Sequence, residues 1–211
     1  MTLTRRRAPP AVSCPSAGNC AAGGHYEDAA TDVQAFIVSE HQGTWQQAQQ
    51  VPGFAALNQG QHDGNLNSLS CGSPGNCSAV GQYTDSSGHY QAFVARKQDG
   101  RWGRAEEASG TAALNQGGYA NLSEVSCPAP GECSAGGRYT GRDGHAHAFV
   151  IGQAGGIWGA AEQVTGSTAL DQGGSAQVDV LSCASPGHCS AGGSFSLKHS
   201  QRSQVFVVSE N

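Results

Sequence analysis

SCGSPGNCSAVGQY at residues 70–83 is the stretch that decides the fold, because its two cysteines and the turn between them recur along the chain. Cysteine pairs with five intervening residues return at a nearly constant interval. The pairs are Cys14 with Cys20, Cys71 with Cys77, Cys127 with Cys133, and Cys183 with Cys189. A fixed period of this kind indicates a repeat architecture. The 211-residue chain therefore contains three full repeats and a shorter fourth one.

The second repeat shows the pattern within one unit. Extended runs at residues 65–71, 77–83, 90–97 and 101–108 alternate with turn-rich stretches at 72–76, 85–88 and 98–100. Four short strands in each repeat, followed by a longer connection, are typical of a β-propeller blade. We therefore predict an all-β fold, a small β-propeller of about four four-stranded blades.

The domain organisation follows from the same period. One domain spans residues 11–211, divided into repeats at 11–67, 68–123, 124–179 and 180–211, and residues 1–10 form a tail or a closing outer strand. The last repeat has room for three strands only. Three arrangements are compatible with this count: a ring closed by an N-terminal strand, an open array cut from a longer protein, and two chains that pair into a larger ring.

The cysteine pairs point to disulfides within each repeat. Each pair brackets a Pro/Gly turn, such as residues 72–76, that places the first two strands of a unit side by side. The alternative is metal binding, but structural zinc sites have two to four residues between paired ligands, and we predict no metal. Disulfides favour a secreted or cell-surface protein, although residues 1–10 contain no apolar signal-peptide segment.

The repeat unit resembles repeats found in long secreted proteins of actinobacteria. The similarity rests on the Cys-x5-Cys unit and on the segment 112–118, Ala-Ala-Leu-Asn-Gln-Gly-Gly. The chain is also distantly similar to the extracellular HAF repeat, whose triplet stands at residues 147–149. The resemblance implies an extracellular array of β-propeller type and carries over no catalytic residues.

Composition and motifs argue against several classes of function. A net charge of −5 gives no basic surface for nucleic acid, and no apolar run reaches the roughly 18 to 20 residues that membrane insertion needs. A nucleophile elbow, a P-loop and a dinucleotide-binding motif are absent from the sequence. We therefore expect no cofactor.

Four side chains are weak candidates for catalysis. His145 and His147 are two residues apart on a predicted strand, which puts both on one face. Glu124 and Asp179 depart from the repeat on the strand predicted to be innermost, where two carboxylates could perform acid/base chemistry. A variable surface pair of histidines and a hydrated polar channel are the structural alternatives.

The connections between blades are the best binding candidates, because loops at one face of a propeller converge around its axis. Amides both donate and accept hydrogen bonds, which suits sugar hydroxyls. The opposing interpretation is that every repeat needs these residues to fold its loop. The candidate binding residues are Asn58, Gln59, Asn115, Gln116, Tyr119, Asp171 and Gln172.

These observations favour a non-enzymatic extracellular binding module that recognises glycan or a protein partner and exists as a monomer or a homodimer. The alternatives are a lyase or hydrolase that uses polar residues of the axial channel, and a structural array element. The tryptophans of the repeats, Trp45, Trp102 and Trp158, are expected to pack between neighbouring blades or to offer rings to carbohydrate.

Overall fold

The structure is a computed structural model that describes residues 11–60, 63–166, 174–197 and 203–210. Within these ranges the chain forms four antiparallel sheets in sequence order. The first three sheets have three long strands and an outer strand in two short pieces, and the fourth has three strands. The strands are β1 (Ala11–Ser16), β2 (Asn19–Glu27), β3 (Val33–His41), β4 (Thr44–Trp45), β5 (Gln49–Gln50); β6 (Asn65–Ser73), β7 (Asn76–Thr84), β8 (Tyr90–Gln98), β9 (Arg101–Trp102), β10 (Glu106–Glu107); β11 (Ala120–Ala129), β12 (Glu132–Thr140), β13 (Ala146–Ala154), β14 (Ile157–Trp158), β15 (Glu162–Gln163); β16 (Ala176–Ser185), β17 (His188–Ser196) and β18 (Ser203–Ser209).

The predicted count of strands is confirmed, with one difference in the outer strand. The sequence predicted a continuous strand at residues 101–108, but only β9 and β10 pair with β8. Between them, Ala105 turns its N–H away from β8 and donates it to the carbonyl of Pro52, in the connection that follows the first sheet, at 2.7 Å. The outer strand is therefore interrupted because part of it joins two sheets.

The sheets begin at Ala11, Asn65, Ala120 and Ala176. The predicted repeat limits at 67/68, 123/124 and 179/180 fall inside the first strands, so they mark the period of the sequence and not the edges of the sheets. The connections before the second and third sheets contain short helices that the strand pattern did not predict, α1 (Phe54–Leu57) and α2 (Thr111–Leu114).

The first strands of the four sheets lie side by side in chain order, as expected for innermost strands. We number the contacts between consecutive sheets as the first, second and third junctions. On the first strand of each of the first three sheets, a serine hydroxyl accepts a hydrogen bond from a cysteine N–H of the next sheet. The bonds are Cys71 N–H to Ser13 at 3.0 Å, Cys127 N–H to Ser70 at 3.0 Å and Cys183 N–H to Ser126 at 3.1 Å.

The hydrophobic core is divided among the three junctions. Because side chains alternate between the two faces of a strand, one strand serves two junctions. Phe93 of β8 packs in the first junction, whereas its neighbours Ala92 and Val94 pack in the second. Trp102 and Trp158 pack against the first and second core clusters respectively, which confirms the predicted role between neighbouring sheets for these two residues.

The four predicted disulfides are confirmed, and no cysteine among the described residues is free. Each links the first and second strands of one sheet across the turn, with Cα atoms 3.9 to 4.1 Å apart. Cross-linking so short a loop contributes about 2 kcal/mol in the chain-entropy account.

The described residues form an open series of sheets. The outward face of the fourth sheet carries exposed Val180, Val205 and Val207, and the outward face of the first sheet carries exposed Val12 and Trp45. A face buried in a closed ring would not leave these side chains in solvent. The predicted closing strand at residues 1–10 lies outside the described residues.

Candidate binding site

The histidine pair belongs to a turn that recurs in the first three sheets. In each turn an aspartate accepts one or two backbone N–H bonds, and its carboxylate also bonds to a side chain at the start of the third strand. His147 takes the side-chain role in the third sheet, with Nε2 3.1 Å from both carboxylate oxygens of Asp143. Gln34 and Gln91 do the same for Asp28 and Asp85. His147 therefore occupies a position that glutamine fills elsewhere in the fold.

The charged and polar groups of the Asp143 turn interact mainly with one another. The backbone N–H of His145 and the side chain of His147 hold the pKa of Asp143 below its usual range. His147 is buried, and its Nδ1 lies 3.5 Å from Nε2 of Gln163. His145 is exposed, with its ring centre 6.5 Å from that of His147. Among the described residues no group of three His, Cys, Asp or Glu side chains could hold a metal ion.

The two carboxylates predicted for the channel lie in different settings. Glu124 accepts a 2.7 Å hydrogen bond from the hydroxyl of Ser68, in the neighbouring first strand. Asp179 is exposed and accepts a bond from Gln177 on its own strand. Glu124 therefore joins two first strands, and a catalytic role for either carboxylate stays a prediction.

The loop amides divide into buried and exposed members. Asn58 is buried; it donates to the carbonyl of Val33 at 3.1 Å and accepts the N–H of Thr84 at 3.0 Å. Asn115 is also buried and donates to the carbonyl of Tyr90. These two amides are engaged within the fold, which agrees with the structural interpretation of the repeated loop.

The exposed amides of the loops bond mainly to nearby groups. Gln59 and Gln116 each donate a hydrogen bond to a carbonyl of their own loop, and Gln116 also accepts one from Arg142 at 2.9 Å. Their binding role stays a prediction. The remaining predicted loop residues, Asp171 and Gln172, lie outside the described residues.

Tyr119 stands in a chain of polar and aromatic side chains at the second junction. Its ring centre is 5.4 Å from that of Tyr90, and its hydroxyl donates to Gln82 at 3.2 Å. The hydroxyl of Tyr90 donates to Asp63 at 2.8 Å, and the guanidinium of Arg138 lies 4.7 Å from the centre of the Tyr119 ring. All five side chains are half-buried. We refer to them together as the tyrosine strip.

The backbone holds the two rings together. Tyr90 begins β8 and Tyr119 immediately precedes β11, and the two residues form a parallel bridge in which the N–H of Tyr90 donates to the carbonyl of Gly118 at 3.0 Å. Gly118 has a φ of +82°, which favours glycine, and a Cβ there would lie 2.9 Å from the ring of His89. The turn before Tyr119 is thus fixed by a close approach of the preceding sheet.

The tyrosines are specific to the second junction. The equivalent bridge pairs Val33 with Asp63 at the first junction and Ala146 with Ser175 at the third. Since the fold accepts those residues at the same backbone positions, it does not itself require a pair of tyrosines. The sequence pattern identified Tyr119 but missed Tyr90; the signal that could have found it is the departure of both residues from the repeat.

The two charged side chains of the strip stand at opposite ends, Asp63 beside Tyr90 and Arg138 beside Tyr119. The hydrogen bond to Asp63, followed by burial, raises the pKa of Tyr90 to about 12. Tyr90 therefore stays a neutral donor to the Asp63 carboxylate at neutral pH. Arg138 supplies the positive end, where the ring face of Tyr119 supports the guanidinium through a cation–π contact.

A groove of about 880 Å³ opens at the third junction. Its walls come from β12, β13 and the outer pieces of the third sheet, and from β16, β17 and β18 of the fourth. They include the apolar side chains Val150, Ile151, Leu181 and Val208. At the first and second junctions this space is covered by the interrupted outer strand that carries Trp102 or Trp158. Among the described residues, the fourth sheet has no such strand.

Comparisons with known proteins bear on the fold. No protein-family model matches the chain, and no curated protein matches it in sequence. The solved structures that match include one described as Hadza microbial sialidase Hz136, with a TM-score of 0.57 and 11% sequence identity. The match covers 94% of this chain and 43% of that chain, so this chain spans less than half the length of the neighbour.

The likeness to that β-propeller shows the fold and confirms the predicted architecture of four antiparallel sheets. The four disulfides indicate an extracellular or otherwise oxidising environment. In the part of the chain that the structure describes, no helix has the length and apolar character to cross a membrane.

Proposed function

We propose that the protein is a non-enzymatic, secreted binding module that recognises a glycan at the tyrosine strip. The observation that carries the proposal is the pair Tyr90 and Tyr119, which the repeat does not require and which stands between a carboxylate and a guanidinium. The fold supplies a rigid support, because the pair lies across the junction between two sheets, each of which contains its own disulfide.

The chemistry of the strip suits a polyhydroxylated ligand. Asp63 accepts hydrogen bonds, Arg138 donates them, and the amide of Gln82 does both. Tyrosine rings present apolar surface for the C–H faces of a sugar beside a polar hydroxyl. A ligand that carries an anionic group gains further from Arg138, whose guanidinium is half-buried.

An enzyme is the alternative function, and the name of the sialidase neighbour favours it. Against it, His147 and Glu124 are each engaged by a neighbouring side chain within the fold. The binding proposal rests on side chains that the scaffold does not need, and for that reason it is the better supported.

A glycan-array screen tests the proposal, with intact mass measured before and after reduction on the same sample. The array should give a defined hit, and masked thiols should accompany it. The variants Tyr119→Ala and Arg138→Ala should each weaken binding of that hit by roughly tenfold or more, equivalent to about 1.4 kcal/mol.

Gln98→Ala is the matched control, because Gln98 is an exposed glutamine at the opposite end of β8 from Tyr90 and lies outside the strip. It should leave the affinity unchanged. Circular dichroism must show that the strip variants stay folded. An array without a hit, or a hit that Gln98→Ala weakens as much as Tyr119→Ala, would refute the assignment to the strip.

A further inference from the structure

We propose that the outward face of the fourth sheet docks against the outward face of the first sheet in a second copy of the chain, so that two copies close one ring. This inference does not depend on the glycan proposal. It rests on exposed apolar side chains, on the repeat equivalence of the faces that carry them and on a hydrogen-bond ladder that is open at both ends.

The exposed apolar side chains are concentrated on the two terminal faces. Among the described residues, six large hydrophobic side chains are exposed, and five of them lie on these faces. Val205, Val207 and Val180 on the fourth sheet are 82%, 74% and 62% exposed, and Val12 and Trp45 on the first sheet are 62% and 47% exposed. The sixth, Ile157, lines the groove of the third junction.

Val205 of the fourth sheet occupies a position that every other sheet buries. Val205 corresponds to Ala35, Ala92 and Ala148, each completely buried against the following sheet. Val207 corresponds to Ile37 and Val94, which are also buried, and to Val150, which is half-buried against the third core cluster. The fourth sheet therefore presents the same face that the first three sheets pack against the sheet that follows them.

The first sheet presents the complementary face. Val12 corresponds to Leu69 and Val125, both buried against the preceding sheet. Trp45 corresponds to Trp102 and Trp158, which pack into the first and second junctions. Every junction within the chain joins the face of one sheet that packs against a following sheet to the face of the next sheet that packs against a preceding one. Because the chain's own fourth and first sheets leave these faces exposed, a fourth junction of the same kind joins the fourth sheet of one copy to the first sheet of another.

The ladder of hydrogen bonds along the first strands has matching ends. Within the chain, Ser13, Ser70 and Ser126 each accept the N–H of the cysteine at the same level in the next sheet. Ser182, the equivalent residue of the fourth sheet, is exposed. Docking of a second copy places the N–H of Cys14 at the position to donate to Ser182, which continues the ladder.

A second copy of the chain covers both terminal faces at once. The junction is heterologous, and heterologous contacts close into rings when the rotation permits. Two copies of four blades give a ring of eight, which lies within the roughly four to eight blades of known propellers. Closure buries all five exposed side chains of the terminal faces without any new kind of contact.

The test is the mass in solution, measured by light scattering over a series of protein concentrations. The wild-type protein should have twice the mass of a single chain. Val205→Asp and Val12→Asp should each be monomeric, because each buries a charge in both junctions of the ring. Ile157→Asp is the matched control: it places the same charge at an equally exposed apolar position off both faces, and it should remain dimeric.

Mixing the two monomeric variants separates a heterologous junction from a symmetric one. Val205→Asp retains an intact first-sheet face, and Val12→Asp retains an intact fourth-sheet face. An equimolar mixture should therefore form a one-to-one dimer through a single junction, with weaker affinity than the wild type. Circular dichroism and the absence of free thiols should show that both variants are folded.

Several outcomes would overturn the proposal. A wild-type chain that stays monomeric at every concentration excludes a second copy as the occupant. A dimer that persists in both variants, or one that either variant forms alone, shows that the interface lies elsewhere or is symmetric.

Discussion

The second and third junctions are built from the same repeat, yet one is filled and the other is open. At the second junction Trp158 and Ala161 pack on the core between the sheets, and Ala161 donates its N–H to the carbonyl of Ser109. At the third junction the corresponding space is a groove of about 880 Å³. The comparison shows that the outer strand covers the preceding junction as well as completing its own sheet.

The largest expected effect is the loss of a tryptophan that covers a junction. Trp158→Ala should lower the free energy of unfolding by about 3 kcal/mol, because it removes a large apolar side chain from the second core cluster. Trp45→Ala, at the equivalent but exposed position of the first sheet, should cost less than about 1 kcal/mol in a monomeric background such as Val205→Asp. Urea unfolding of each variant in that background measures both values. Equal costs would contradict a covering role for the outer strand.

A pair of equivalent glycines sharpens the comparison. Gly110 and Gly166 have φ of +82° and +81°, so alanine is strained at both, by about 1 kcal/mol. A Cβ at Gly110 would lie 2.8 Å from the N of Ala161, whereas no atom of the described residues would lie within 4 Å of a Cβ at Gly166. Gly110→Ala should therefore cost about 2 kcal/mol more than Gly166→Ala in thermal or urea unfolding. If the two variants are equally stable, the space beside Gly166 is filled in solution.

The disulfides give a smaller difference between the same two regions. Removing either Cys127–Cys133 or Cys183–Cys189 by double alanine substitution should cost about 2 kcal/mol, since the loops have equal length. The first pair is buried in the second core cluster, so its loss should cost about 1 kcal/mol more. Denaturant unfolding of the two double variants provides the measurement. A larger cost for the fourth-sheet pair would reverse this ranking.

The smallest effect concerns the tyrosine strip of the second junction. Because the pKa of Tyr90 is raised from 10.0 to about 12, the folded state holds its proton more tightly than the unfolded state. The resulting stability is fully present below pH 10 and is lost as pH rises through about 12. In an absorbance titration of the tyrosines, Asp63→Asn should lower the pKa of Tyr90. An unchanged titration curve would contradict the bond between the two side chains.

Much of the fold could be predicted because the same pattern of cysteine, turn and strand residues recurs in each repeat. The cysteine period located the disulfides, and the turn residues located the three long strands of each sheet. The interrupted outer strand could not be predicted, because the N–H of Ala105 leaves its own sheet for Pro52, a partner that no local pattern contains. The helices α1 and α2 were missed because four residues are too few to show helical periodicity.

The candidate site was less predictable than the fold. Repetition drew attention to Asn58 and Asn115, which the structure shows bonded within the fold. The side chains that the scaffold does not require are those that depart from the repeat, Tyr90 and Tyr119. They are far apart in the sequence, and only the bridge between the second and third sheets brings their rings together.

The sequence by itself determined the all-β class, the four units and the pairing of the eight cysteines, because each depends on neighbours within a single repeat. The tertiary structure decided which faces of those units are covered. Burial of Ala35 and Ala92 and exposure of Val205 at equivalent positions cannot be read from the residues themselves. Burial of such a side chain depends on whether another sheet packs against the face that carries it, and that is a property of the assembled series of sheets.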